Sequence, residues 1–186
     1  MPEAKRIAFG DLEVPVLERA WNTTAERLPY RKTYGLKPGQ LWTDAPSTPD
    51  QWEYYVLLED GPVPVGAVIA RELITEGATS AVFTEMWGGL VLVGPDLVCV
   101  EENGDISKIL DELRTAMNGK LGGLPDVIAC FSDGRIAMRE AKHITAKYKD
   151  RLGPKQHALA RVAQGLFGER LDLAIVEWGR TCTNLT

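Results

Sequence analysis

The sequence predicts an α/β fold in which a mixed β-sheet is flanked by helices. Three observations carry that expectation. The last third of the chain, Asp126 to Trp178, reads as strand, strand, helix, strand. An amphipathic helix stands before it, with Ile106, Ile109, Leu110, Leu113 and Met117 at helical spacing on one face. The 186 residues, 45% hydrophobic and 25% charged, suffice for one packed domain or one domain with an embellishment, and that composition fits neither disorder nor a fibrous repeat.

Taken in order, Val16 to Arg27 reads as a helix. Five of the eleven prolines then fall between Pro38 and Pro64, interleaved with Trp42, Trp52, Tyr54 and Tyr55. That density predicts a loop-rich stretch with one short strand around Trp52 to Leu58, and residues 1–79 are expected as an N-terminal elaboration that packs on the core formed by 80–186. Its aromatic group fits either a small core or a stacking surface for unpaired bases. Val65 to Glu76 is helix-like and closed by Gly77. Short apolar runs follow at Ala81–Met86, Leu90–Val93 and Leu97–Glu101, separated by Gly88-Gly89 and Gly94-Pro95. Asp105 is suited to cap the amphipathic helix, which ends at Asn118-Gly119. Asp126 to Phe131 and Arg135 to Lys142 are strands around a Ser132-Asp133-Gly134 turn. Gly153-Pro154 opens a helix whose buried stripe is Leu159, Val162, Ala163, Leu166 and Phe167, and Leu171 to Trp178 is the final strand.

Several function classes drop out at this level. The net charge of -5 argues against an all-over basic nucleic-acid binder. Cys99, Cys130 and Cys182 have no CxxC spacing and read as reduced core residues, not a disulfide frame or zinc site. No segment has the ~18 uninterrupted apolar residues of a membrane span, and the N-terminus lacks a signal-peptide core. A cytoplasmic location without membrane partners is the expectation, with nucleoid association or a host cytoplasm as variants.

The hairpin carries the chemistry. A three-residue loop with Gly134 left-handed pairs Phe131 with Arg135 and Asp126 with Glu140. Opposed residues of an antiparallel pair have Cβ atoms roughly 4.5–5.5 Å apart, so two carboxylates meet on one face. Lys142 projects from the same face by alternation. Opposed like charges destabilise a strand pair unless a cation lies between them. A few oxygen ligands with open coordination positions suit Mg²⁺ or Mn²⁺, which polarise a phosphodiester and acidify a bound water while an ammonium orients that water or steadies phosphate charge. Metal-assisted phosphodiester hydrolysis is the reaction class. The plain alternative is a solvated strand face; against it, Ile128, Cys130, Ile136 and Met138 share the same parity and make the rest of that face apolar.

Gly123-Leu124-Pro125-Asp126, then Glu140-Ala141-Lys142, then Asp150-Arg151-Leu152-Gly153-Pro154-Lys155-Gln156 resembles the PD-(D/E)XK nuclease signature in its VRR-NUC branch. The likeness covers residues 121–178. It implies a restriction-endonuclease-like core with Asp126 and Glu140 as metal ligands, helped by the main-chain carbonyl of Ala141. It further implies Lys142 as the catalytic lysine, Gln156 as a supporting polar residue, and DNA, often branched or flapped, as substrate. Homodimerisation to cut both strands is also implied. The 58 residues of 121–178 offer few base-reading elements, so a cleavage subunit with a separate recognition partner is a further reading.

The chain departs from that pattern in two places. Helix 105–118 leaves no room for a strand before Pro125, so the family's first helix corresponds either to it or to Val65–Glu76 with residues 94–120 inserted. The upstream glutamate is Glu72, Glu85, Glu101 or Glu112. The loop from His143 to Lys149 is also longer than usual. Asp96 with Glu101 mimics the motif but leaves no space for a turn. His143 and His157 read as phosphate-contacting or solvated residues beside the site.

Residues 118–161 hold nine Lys/Arg against four acids, leaving the remainder strongly acidic. The local excess around the site offers Arg139, His143, Lys147, Lys149, Arg151 and Lys155 to a phosphate backbone. The function expected is therefore a divalent-metal-dependent nuclease in replication, repair, recombination or phage-related DNA processing. The alternative is a catalytically inactive, nuclease-like module that binds nucleic acid or a partner protein.

Overall fold

The computed structural model describes residues 5–21, 30–31, 47–48, 55–59, 61–84, 91–93, 98–99, 104–144 and 152–179. Twelve strands are present among them: β1 Arg6–Phe9, β2 Leu12–Glu18, β3 Tyr30–Arg31, β4 Ser47–Thr48, β5 Tyr55–Leu58, β6 Gly61–Pro64, β7 Ala78–Thr84, β8 Val91–Val93, β9 Val98–Cys99, β10 Val127–Phe131, β11 Ile136–His143 and β12 Leu171–Trp178. The helices are α1 Val65–Thr75, α2 Asp105–Ala116 and α3 Pro154–Phe167. Eight strands form one sheet in the order β1-β2-β12-β11-β10-β7-β8-β9, while β3 pairs with β4 and β5 with β6. The sheet is mixed. β12 lies parallel to both β11 and β2, and every other pairing is antiparallel.

Each face of the sheet carries its own core. On one, α1 packs over Ala81 and Phe83 of β7, Val127 and Ala129 of β10, Ala137 and Ala141 of β11, and Val176 and Trp178 of β12. α1 is apolar almost all round because the β5–β6 hairpin covers its outer side, burying Tyr55 and Val56. On the other face, α2 and α3 cover Val82, Ile128, Cys130, Ile136, Met138, Leu173 and Ile175. Strand β10 is buried along its whole length because both faces are covered. Burial of this kind, at ~25 cal/mol per Å² of apolar surface, is the main force holding the layers together.

Most elements match their sequence signals, and two do not. Val16–Arg27 is not helical where it is described: Val16 to Glu18 belong to β2. The pattern that decides is the period-two burial of Val14 and Val16, following the tight turn at Gly10 (φ 67°). Pro15 is tolerated inside the sheet because its missing N–H faces β12 one residue before that ladder begins at Val16. β1, β2 and α1 of the expected N-terminal elaboration are thus part of the main sheet and core. In α3 the buried stripe is Leu159, Ala160, Ala163 and Phe167, while Leu166 faces solvent and Val162 is partly covered. The strand expected from Trp52 is described from Tyr55; Trp42, Trp52 and Tyr54 lie outside the described residues. No helix among the described residues is long and apolar enough to cross a membrane.

Candidate active site at the open end of the β10–β11 hairpin

Gly134 adopts φ 85° and its N–H donates to the Phe131 carbonyl at 3.0 Å, closing the three-residue loop. Phe131 N–H donates to the Arg135 carbonyl at 3.0 Å, and the register continues as Cys130 opposite Ile136 and Val127 opposite Arg139. β10 starts at Val127, and the same register extended by one residue sets Asp126 opposite Glu140. Glu140 and Lys142 continue the parity of Ile136 and Met138, on the face covered by α2 and α3.

The polar groups here are bonded to one another. Asp126 Oδ2 accepts the Ala141 N–H at 2.7 Å. Glu140 Oε1 accepts from Lys142 Nζ at 2.8 Å and also from Gln156 Nε2. The side chains of Glu140 and Lys142 are only 4% and 13% exposed. A buried carboxylate is costly in isolation, and these two donors offset its desolvation. Gln156 serves two masters: its Oε1 also accepts the Gly153 N–H at 2.8 Å, capping the start of α3. Gly123 brings this helix start within reach. At φ 77° it presses on the first turn of α3, where a Cβ would lie 2.4 Å from the Lys155 carbonyl carbon.

The proline before Asp126 has a physical role in this register. Hydrogen-bonded pairs alternate along an antiparallel ladder, so 131–135, 129–137 and 127–139 are followed by Pro125 and Ala141. Pro125 has no N–H to give to the Ala141 carbonyl. Its own carbonyl accepts from Thr84 Oγ1 at 2.7 Å, and the Asp126 carbonyl accepts the Thr84 N–H at 2.8 Å. β7 thereby pins the Pro125-Asp126 backbone, while the Ala141 carbonyl is directed toward the Asp126 side.

No family model matches the chain, and comparison with curated proteins and with solved structures finds no match.

The other expected site residues are distributed differently. Arg139 is buried on the opposite, α1-facing side, with Nη2 bonded to Asp172 Oδ2 at 2.6 Å and Nη1 to the Met138 carbonyl at 3.2 Å. It does not present its guanidinium to a phosphate backbone; one residue of strand alternation separates it from Glu140. His143 shares that far side, buried edge-on against Trp178 with ring centroids 4.6 Å apart. His157 packs against Phe9 and Gly10. Tyr55 is buried and offers no stacking surface. Lys155 is exposed in the first turn of α3, beside Gly122. Lys147, Lys149 and Arg151 lie outside the described residues. Of the upstream acids, Glu72 is engaged by Arg19 at 3.1 Å, Glu112 is exposed on α2, and Glu85 and Glu101 lie outside the described residues.

Among the described residues no three His, Cys, Asp or Glu side chains gather as a ready metal cluster. The oxygen atoms available for a divalent ion here are those of the Asp126 and Glu140 carboxylates and the Ala141 carbonyl. Such a set suits Mg²⁺ or Mn²⁺, which retain several waters and need only one or two carboxylates. Glu177 is the residue that sequence reasoning overlooked. It stands beside Lys142 in the β11–β12 register, on the same face, with Oε2 bonded to Lys5 Nζ at 2.7 Å.

Proposed function

We propose that the chain is a Mg²⁺- or Mn²⁺-dependent nuclease that hydrolyses DNA phosphodiester bonds at Asp126, Glu140 and Lys142. The observation that supports this reading is the hairpin register that sets Asp126, Glu140 and Lys142 on one sheet face, with Lys142 and Gln156 both bonded to Glu140. The element order α1, β7, β10, β11, α3, β12 supports a restriction-endonuclease-like core, with β8, β9 and α2 inserted between its first two strands.

In this reading Asp126, Glu140 and the Ala141 carbonyl hold the divalent ion. A divalent ion held there would supply Lewis acidity to the phosphodiester and to water. Lys142 supplies a fixed ammonium that stabilises charge developing on the phosphate, in a site dry enough for the charge to count. Gln156 keeps the Glu140 carboxylate aimed, and the Asp126 to Ala141 bond keeps the two strands in register. Lys155 is exposed at the start of α3, and its charge suits the backbone of DNA, the proposed partner.

The test is cleavage of linear, branched and single-stranded DNA in Mg²⁺ and in Mn²⁺, with Asp126→Ala, Glu140→Ala and Lys142→Ala as controls of unchanged fold. Divalent-dependent cleavage lost in all three supports the reading. Salt-sensitive DNA binding with no turnover instead makes the chain a non-catalytic module.

A further inference from the structure

We propose that Glu177 is a positioning residue for Lys142, holding its ammonium on the sheet face when Glu140 is engaged by a divalent ion. The inference rests on the nuclease reading above.

The geometry that leads to it is a row of alternating charge. Gln156 touches Glu140, Glu140 touches Lys142, and Lys142 stands side by side with Glu177 in the parallel register. Glu177 in turn is bonded by Lys5. Adjacent strands lie ~4.8 Å apart, so neighbours on one face lean on each other. Glu177 shares its face with Leu173 and Ile175, as Lys142 does with Ile136 and Met138. The Glu177 side chain is 16% exposed and Lys5 is 50% exposed, so the row runs from a sheltered carboxylate outward to solvent.

Glu140 has two roles that compete. Its Oε1 accepts from Lys142, yet the same carboxylate would also hold the divalent ion together with Asp126. Once an ion takes Glu140, the attraction that orders Lys142 weakens. A lysine side chain is flexible and its ammonium strongly hydrated, so it swings to water unless another anion faces it. Glu177 is that anion. Lys5 fixes the Glu177 carboxylate from the far side, and the backbone there is tied as well, since the Glu177 carbonyl accepts the Arg19 N–H at 2.7 Å.

The experiment compares the unaltered full chain with Glu177→Gln, Glu177→Asp and Asp126→Asn. Three readings are taken: steady-state DNA cleavage in Mn²⁺, Mn²⁺ binding by calorimetry without DNA, and thermal unfolding. The expected result for Glu177→Gln is a kcat lowered about tenfold or more, as for a misplaced catalytic group, with KM, Mn²⁺ affinity and unfolding temperature unchanged. Glu177→Asp keeps the charge and restores a substantial part of kcat, and Asp126→Asn alone loses Mn²⁺ binding. The inference is overturned if Glu177→Gln has the kcat of the unaltered chain. It is also overturned if that variant loses Mn²⁺ binding, which makes Glu177 a ligand, or if both Glu177 variants lose kcat in proportion to lost fold. Absence of cleavage by the unaltered chain removes the nuclease reading itself, and this inference with it.

Discussion

Gly123 lies so close to the start of α3 that a Cβ at that position would sit 2.5 Å from the Gln156 amide nitrogen. The loop leading into Asp126 and the helix bearing Gln156 are therefore one mechanical unit. Gly123→Ala imposes both a left-handed backbone on a residue that resists it and an overlap with backbone atoms. The expected cost is about 1–3 kcal/mol, read as a lowered denaturant midpoint, together with reduced cleavage as Gln156 shifts. Gly122→Ala is the control, since its Cβ meets only the flexible end of Lys155, at 3.4 Å. Equal stability of Gly123→Ala and Gly122→Ala would show that the loop does not bear on the helix.

Gln156 caps α3 and donates to Glu140, and one substitution separates these two jobs. Gln156→Glu keeps an acceptor for the Gly153 N–H but faces Glu140 with a second carboxylate. We expect it to be more harmful to stability than Gln156→Ala at neutral pH, and to recover as pH falls toward the carboxylate range. Gln156→Ala loses a hydrogen bond to a charged group, about 2 kcal/mol. Urea titrations of both variants at several pH values check this, and a Gln156→Glu variant as stable as wild type at pH 7 counts against the contact.

Arg139 answers a structural demand, not a substrate. Its guanidinium is bonded to Asp172 on the far side of the sheet, where Arg135 reaches the same carboxylate at 3.3 Å. Arg139→Ala removes the bonds of a buried guanidinium to a carboxylate that is partly exposed and still reached by Arg135, and is expected to cost about 1–3 kcal/mol. DNA affinity measured on the fraction that remains folded should keep its salt dependence. A lowered salt slope with unchanged stability would return Arg139 to the binding surface.

How far the sequence reached depends on which physical signal each feature leaves. The hairpin register was legible because one glycine sets the loop and strand alternation then assigns every face, so Asp126, Glu140 and Lys142 were found together. The same alternation turns Arg139 and His143, at odd numbers, away from the site, which local charge along the chain does not show. The local basic excess also contains Arg161, which pairs with Asp11. β2 resembles the start of a helix in sequence because Leu17 and the residues after it blur a short period-two pattern. Its true signal was Val14 and Val16 beyond a glycine turn. Glu177 left no local signal, since only the parallel pairing of β12 with β11 brings it to Lys142.

Cys130 is a free thiol buried between β7 and α2, and its ionisation is shifted. Burial pushes the thiol up, the Ser80 hydrogen bond opposes that, and the Asp105 charge adds to it. The folded state therefore holds this proton more tightly than the unfolded chain does, whose thiol titrates near ~8.5. The stabilisation is complete below that value and is lost as pH rises through the folded one. Unfolding free energies of wild type and Cys130→Ala should converge between neutral and strongly alkaline pH, and alkylation of Cys130 in the native protein should be slow. Parallel pH profiles for the two proteins would contradict the shift.

In the proposed reaction Asp126, Glu140 and Lys142 act together on a DNA phosphodiester. It is tested most directly by single-turnover cleavage of a labelled DNA set, linear, branched and single-stranded, by wild type and Lys142→Ala in Mg²⁺ or Mn²⁺. We predict metal-dependent cleavage by wild type and a loss of about a hundredfold or more in Lys142→Ala, with the fold unchanged by circular dichroism. No cleavage of any substrate by wild type, or a Lys142→Ala variant as active as wild type, would contradict it.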